Sequence, residues 1–190
     1  MAWRESRLLK KKIIMKTTIE KNFQVDEPID KVWEYLSDPA KIVTCVPGAS
    51  LTDTIDEDNY KGEVTLKFGP VKASYNGQIT FQERDKENYK MQLLGKGLDS
   101  KGKGSADMLM NGVLAGKDGQ TDVTCTMEVT ITGMLAQFGS RLINDVSDSV
   151  FDQFVANFKA KLAGEEVDNS LKAGSMVGTV VKGIFGKKDA

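Results

Sequence analysis

Apolar and polar residues alternate with a period of two through most of the first two-thirds of the chain. "TTIEKNFQV" (17–25) opens the pattern, and strict alternation is the signature of a strand with one dry and one wet face. Five further runs follow. In 59–69, Tyr60, Gly62, Val64, Leu66 and Phe68 share one side against Lys61, Glu63, Thr65 and Lys67. In 71–85, Val71, Ala73, Tyr75, Ile79 and Phe81 oppose Lys72, Ser74, Asn76, Gln78 and Thr80. Segments 88–97 and 101–114 read as a hairpin around Leu98, Asp99 and Ser100. In 120–133, Val123, Cys125, Met127, Val129 and Ile131 alternate with Thr124, Thr126, Glu128, Thr130 and Thr132. A short run at 50–56 completes seven strands, and two-faced alternation throughout predicts an antiparallel sheet.

The period changes to helical in three places. In 26–38, Asp26 can cap and Pro28 suits a first turn, with Ile29, Val32, Trp33 and Leu36 on one face. A second short helix over 38–46 starts behind Asp38-Pro39 and stops at Pro47-Gly48. Residues 134–163 repeat Leu135, Phe138, Leu142, Val146, Val150, Phe154, Phe158 and Leu162 at helical spacing. A helix of that length, roughly 45 Å at 1.5 Å per residue, would lie across a whole sheet.

The order strand, two short helices, six strands, long helix predicts an α+β helix-grip fold. A curved seven-stranded sheet grips the last helix, and a strongly curved sheet cannot touch one helix along its full length. A hollow between them is therefore expected, lined by aliphatic, aromatic and methionine side chains. From the short helices and the corner after them come Trp33, Leu36 and Val46. The strands supply Leu66, Phe68, Tyr75, Ile79, Met91 and Leu93, then Met108, Met110, Met127, Val129 and Ile131. Leu135, Phe138 and Leu142 face them from the long helix. Methionine is flexible and polarizable, which suits an adaptable apolar pocket, although the same residues could simply be core. Tyr60, Tyr75 and Tyr89 fall on the inward face, where each hydroxyl needs a partner: the backbone or a ligand carbonyl.

Composition removes several chemistries. Histidine is absent from all 190 residues, so histidine-dependent nucleophiles and the commonest general base and metal ligand are missing. The two cysteines, Cys45 and Cys125, have no framework spacing and suggest a reducing compartment, with a single disulfide between them as the alternative. Cys45 sits near a helix C-terminus, where the dipole disfavours a thiolate, so "CVPG" (45–48) reads as a structural corner. "GLDSKGKG" (97–104) has Gly104 where a phosphate loop requires Ser or Thr, in a hairpin context, and is rejected. Acidic pairs such as Glu83–Asp85 and Glu165–Glu166 fall at turns or on the wet face.

Charge divides the chain. The formal net charge is −1, but residues 1–16 carry +5, residues 171–190 carry +3 and the body between carries −9. Nucleic acid is not an expected partner for such a body; the basic ends could meet an anionic surface. Residues 1–14 read as a leader, 15–163 as the folded domain, 164–174 as a linker and 175–190 as a basic amphipathic tail. In the tail, Val177, Val180, Val181, Ile184 and Phe185 would enter a membrane interface while Lys182, Lys187 and Lys188 meet headgroups. A helix docking on a protein partner, or a flexible tail, is the rival reading.

Several motifs in order resemble the SRPBCC or START-like superfamily, and within it the carbon monoxide dehydrogenase CoxG family. They are Cys45-Val46-Pro47-Gly48-Ala49, residues 60–85, "GKGSADM" (102–108) and residues 129–145, and the likeness spans about 15–162. The resemblance implies an accessory, non-enzymatic protein with a CO-dehydrogenase-type molybdenum hydroxylase as partner. It further implies a cytoplasmic, peripheral location on the inner face of the membrane and no covalent cofactor. The hydrophobic ligand it implies is an isoprenoid quinone, menaquinone or ubiquinone. An assembly factor for the hydroxylase, or a cyclase or aromatase on the same fold, are the alternatives.

Overall fold

The computed structural model describes residues 13–170, except the side chain of Phe68. Most of the leader and the tail residues Val177, Val180, Val181, Lys182, Ile184, Phe185, Lys187 and Lys188 lie outside the described residues.

Seven strands run in sequence: β1 (Ile14–Val25), β2 (Ala49–Thr54), β3 (Asn59–Phe68), β4 (Val71–Asp85), β5 (Lys90–Asp99), β6 (Ser105–Lys117) and β7 (Gln120–Thr132). All neighbouring pairs are antiparallel, in the order β1-β7-β6-β5-β4-β3-β2. Consecutive hairpins build β2 to β7, and β1 closes on β7 with Ile14 opposite Thr132. That pairing carries β1 three residues upstream of the alternation that begins at Thr17. Between β1 and β2 stand α1 (Ile29–Leu36), α2 (Pro39–Ile42) and a 3₁₀ turn (Val43–Cys45). The chain ends its described fold with a second 3₁₀ turn (Leu135–Phe138) and α3 (Gly139–Leu162).

Two local expectations are corrected. Asp26 does not cap α1: Pro28 is the capping residue, with no side-chain bond, and the Asp26 carboxylate accepts from Gln120 Nε2. The last helix does not start at Met134. Gly139 has φ of 78°, a left-handed geometry that a residue with a Cβ avoids, so 135–138 form a tight turn of their own. Phe138 lies in that turn and is 43% exposed.

The second helix follows its sequence signals. Asp38 accepts from the Ala40 and Lys41 amides behind Pro39, a capped start with proline at the first helical position.

The helix α3 packs mainly on β1 and on the two 3₁₀ turns. Thr17 Oγ1 donates to Asn144 Oδ1 at 3.3 Å and Lys21 pairs with Asp148. Phe23 meets Phe151, Phe154 and Phe158 edge to face, with ring centroids 5.7, 6.1 and 6.0 Å apart. The rod is thus fastened along the β1 side of the sheet rather than across its middle.

Candidate ligand-binding site

Strand register fixes which side chains face α3. Ile19 pairs with Met127, Met127 with Met110, Met110 with Leu93 and Leu93 with Phe81, forming one inward row. A second row holds Thr17, Val129, Met108, Gly95, Ile79 and Tyr60.

The buried apolar residues on this face form two separate clusters. One gathers Val25, Val32, Trp33, Cys45, Phe81, Met91, Leu93, Leu114, Val123, Phe158 and Leu162 beneath the short helices. The other holds Ala73, Tyr75, Ile131, Leu135, Ala136, Ile143 and Val146 at the far end. Between them the inward residues Met108 and Met127 are only half-buried. Ile79 is the clearest case. It is 37% exposed in mid-strand, whereas Tyr75 and Phe81 on the same side of β4 are 6% and 5% exposed. An inward isoleucine left open between two sealed neighbours marks space that α3 does not fill.

The sequence-derived lining residues distribute over this geometry. Trp33, Met91 and Leu93 are buried in the first cluster, with Leu36 and Met110 packed against it. Tyr75, Ile131 and Leu135 are buried in the second, with Leu66, Val129 and Leu142 packed on it. Met108, Met127 and Ile79 lie between, and Val46 is half-buried at the corner. The side chain of Phe68 lies outside the described residues.

The inward tyrosines differ. Tyr60 donates to the Glu57 carbonyl at 2.6 Å and Tyr89 to the Asp30 carboxylate at 2.9 Å. No described residue hydrogen-bonds the Tyr75 hydroxyl. Burial, and secondarily the Asp99 carboxylate, push its phenol above the ordinary tyrosine value, so it stays a donor.

Cys45 is fully buried, and burial raises its thiol while a contact with Thr44 opposes the rise. Its carbonyl accepts from Asn157 Nδ2 at 3.1 Å, which ties the corner to α3. A feature invisible in the sequence closes the other side. Asn169, in the stretch read as a linker, donates through Nδ2 to the Ala49 carbonyl at 2.9 Å, and its own carbonyl accepts from the Gly48 amide at 2.8 Å. The chain beyond α3 is therefore clasped to the Cys45–Ala49 corner.

On the opposite, solvent face of the sheet lies an open concavity of about 720 Å³. Its walls include Lys61, Asn76, Gln78, Lys96 and Asp107. Gly62, Gly77 and Gly97 also border it, where the sheet is thinnest. Among the described residues no group of three or more acidic or cysteine side chains could hold a metal ion. No described helix is long and apolar enough to cross a membrane.

Solved structures share this architecture. A conserved protein from Geobacillus kaustophilus superposes with a TM-score of 0.71 at 24% identity, covering 78% of this chain and 96% of its own. Norcoclaurine synthase from Thalictrum flavum gives 0.55 at 15% identity, over 81% and 90% of the two chains. The Zhui aromatase/cyclase from Streptomyces sp. R1128 gives 0.52 at 14% identity, over 79% and 93%. These likenesses establish the helix-grip fold. No curated protein matches the chain. The family model for carbon monoxide dehydrogenase CoxG matches residues 22–163, most of the described fold, and the chain belongs to that family.

Proposed function

We propose that this protein is a non-catalytic carrier and adaptor. It holds a hydrophobic molecule, an isoprenoid quinone or related lipid, between the sheet and α3. It brings a CO-dehydrogenase-type molybdenum hydroxylase to the inner face of the membrane and links that enzyme to the quinone pool. Membership of the CoxG family supports the association with a CO dehydrogenase system. The tail, with its apolar stripe and lysines, is the segment assigned to the membrane surface.

The observation that carries the ligand reading is Ile79, inward and mid-sheet yet 37% exposed between two closed clusters. Apolar surface left open in an otherwise dry interior is stabilised when an apolar guest covers it, at about 25 cal/mol per Å². The inward ionisable groups support a holding role over a reactive one. Lys21 is engaged with Asp148, and both cysteine thiols are held protonated by burial.

Extraction of the purified protein with organic solvent, followed by mass spectrometry, tests the proposal. A stoichiometric isoprenoid or lipid is expected, recovered again after the stripped protein is incubated with ubiquinone or menaquinone. A protein that carries no lipid and takes none up would refute it.

A further inference from the structure

The inward face of β5 is bare at two successive positions, Gly95 and Gly97, and the backbone requires glycine at neither. Neither has a positive φ. A Cβ built on Gly95 would have Met108 as its nearest neighbour, at 3.5 Å. One built on Gly97 would meet the Tyr75 side chain at 3.5 Å and the Ala106 carbonyl at 3.6 Å. These are ordinary contacts, so larger side chains would find room. The neighbouring Gly77 is different, because a Cβ there would fall 2.3 Å from the Lys96 carbonyl oxygen. Two glycines that no turn or close approach explains leave a patch of uncovered floor beside Ile79, which pairs with Gly95.

Tyr75 stands over that patch. The residue is 6% exposed. Among the described residues, every side-chain nitrogen or oxygen sealed from solvent has a hydrogen-bond partner. The Tyr75 hydroxyl has none among the described residues, so it is not sealed and keeps access to solvent. Asp99, its register partner on β5, acts on the phenol through its charge, and its carboxylate is fixed by accepting from the Lys101 and Lys103 amides at 2.9 and 3.1 Å. A fixed negative charge beside a neutral donor repels an anionic head and leaves the donor for an uncharged acceptor.

From this we infer that Tyr75 is the polar handle of the hollow. It donates a hydrogen bond to an uncharged oxygen acceptor of the carbonyl class, whose apolar body lies over Gly95 and Gly97 toward Ile79. Free fatty acids and phosphate-headed lipids are discriminated against at this end. The inference rests on the carrier reading and adds the chemistry of the guest's polar end.

The test uses the full chain and displacement of the neutral dye Nile red by 2-tridecanone, n-tridecane and tridecanoate, each delivered from cyclodextrin. The ketone should bind tighter than the carboxylate. Tyr75→Phe should weaken the ketone about tenfold, the worth of one well-formed hydrogen bond, and leave the alkane unchanged. Gly95→Val, at a site with room for a side chain, should keep the thermal midpoint while losing ketone and alkane together. If Tyr75→Phe leaves ketone affinity unchanged, or the carboxylate binds tightest, the inference falls while the carrier reading stands. If the wild-type chain takes up none of the probes, both fall.

Discussion

Cys45 shows what a single residue can reveal in sequence and what it cannot. Its place before Pro47-Gly48 and the absence of histidine already argued for a packing role, and the fully buried, free thiol agrees. Cys125, equally free, has its thiol pushed up to about 11 by burial. A raised acid favours the protonated form in the fold. Its stabilising effect is complete below the unfolded value near 9 and is lost as pH rises toward 11. Stability should fall by roughly 2 kcal/mol over that window, at 1.36 kcal/mol per unit, and by less in a Cys125→Ala chain compared with its own neutral-pH value. Urea titrations at stepped alkaline pH measure this; equal losses in both chains would contradict it. At pH 8 both thiols should react with an aromatic disulfide reagent at least ~100-fold more slowly than a free cysteine, because only opening exposes them. Tyr75 was legible as inward from its alternation, but its lack of a partner was not. Hydrogen-bond satisfaction depends on groups distant in sequence: Glu57 and Asp30 reach Tyr60 and Tyr89, and nothing comparable reaches Tyr75.

The strands could be read from period alone because each has one wet and one covered face, and register then follows from the hairpins. The last helix was legible in extent but not in its start, since apolar spacing runs on through a 3₁₀ turn and only the positive φ of Gly139 separates the two. Gly139→Ala should cost about 1 kcal/mol in urea denaturation, the strain of a left-handed residue. A neutral effect would mean that the break is not held by that geometry. Residues 164–170 carry no apolar period, so nothing in the sequence distinguishes them from a linker, yet Asn169 clasps the Cys45–Ala49 corner by two hydrogen bonds. A chain ending after Ala163 should therefore be less stable than one ending after Ser170, by roughly 1–3 kcal/mol for two lost bonds. Asn169→Ala should account for about half of that loss. Equal stability of the two truncations would show that the clasp contributes nothing.

For the molecule as a whole, the sequence foretold a sheet gripping a helix. It did not show which part of the sheet the helix leaves thinly covered. That depends on α3 being fastened along β1 by Thr17, Lys21 and Phe23, contacts between residues more than a hundred positions apart. The middle of the sheet is left thinly covered, and the apolar residues sort into two clusters with Ile79 between. The tail belongs to the same scale: deletion of residues 171–190 should abolish sedimentation with anionic vesicles while leaving the thermal midpoint of the body unchanged. Retained vesicle binding would place the contact elsewhere.

The central claim, that an apolar guest occupies the space over Ile79, is tested most directly by filling that space. Ile79→Trp should bring an indole into the hollow, keep or raise stability, and reduce Nile red and quinone binding at least tenfold. If the interior were closed-packed, the larger ring would instead destabilise the fold by about 1–3 kcal/mol. That loss of stability, with ligand binding unchanged in the folded variant, would contradict the account.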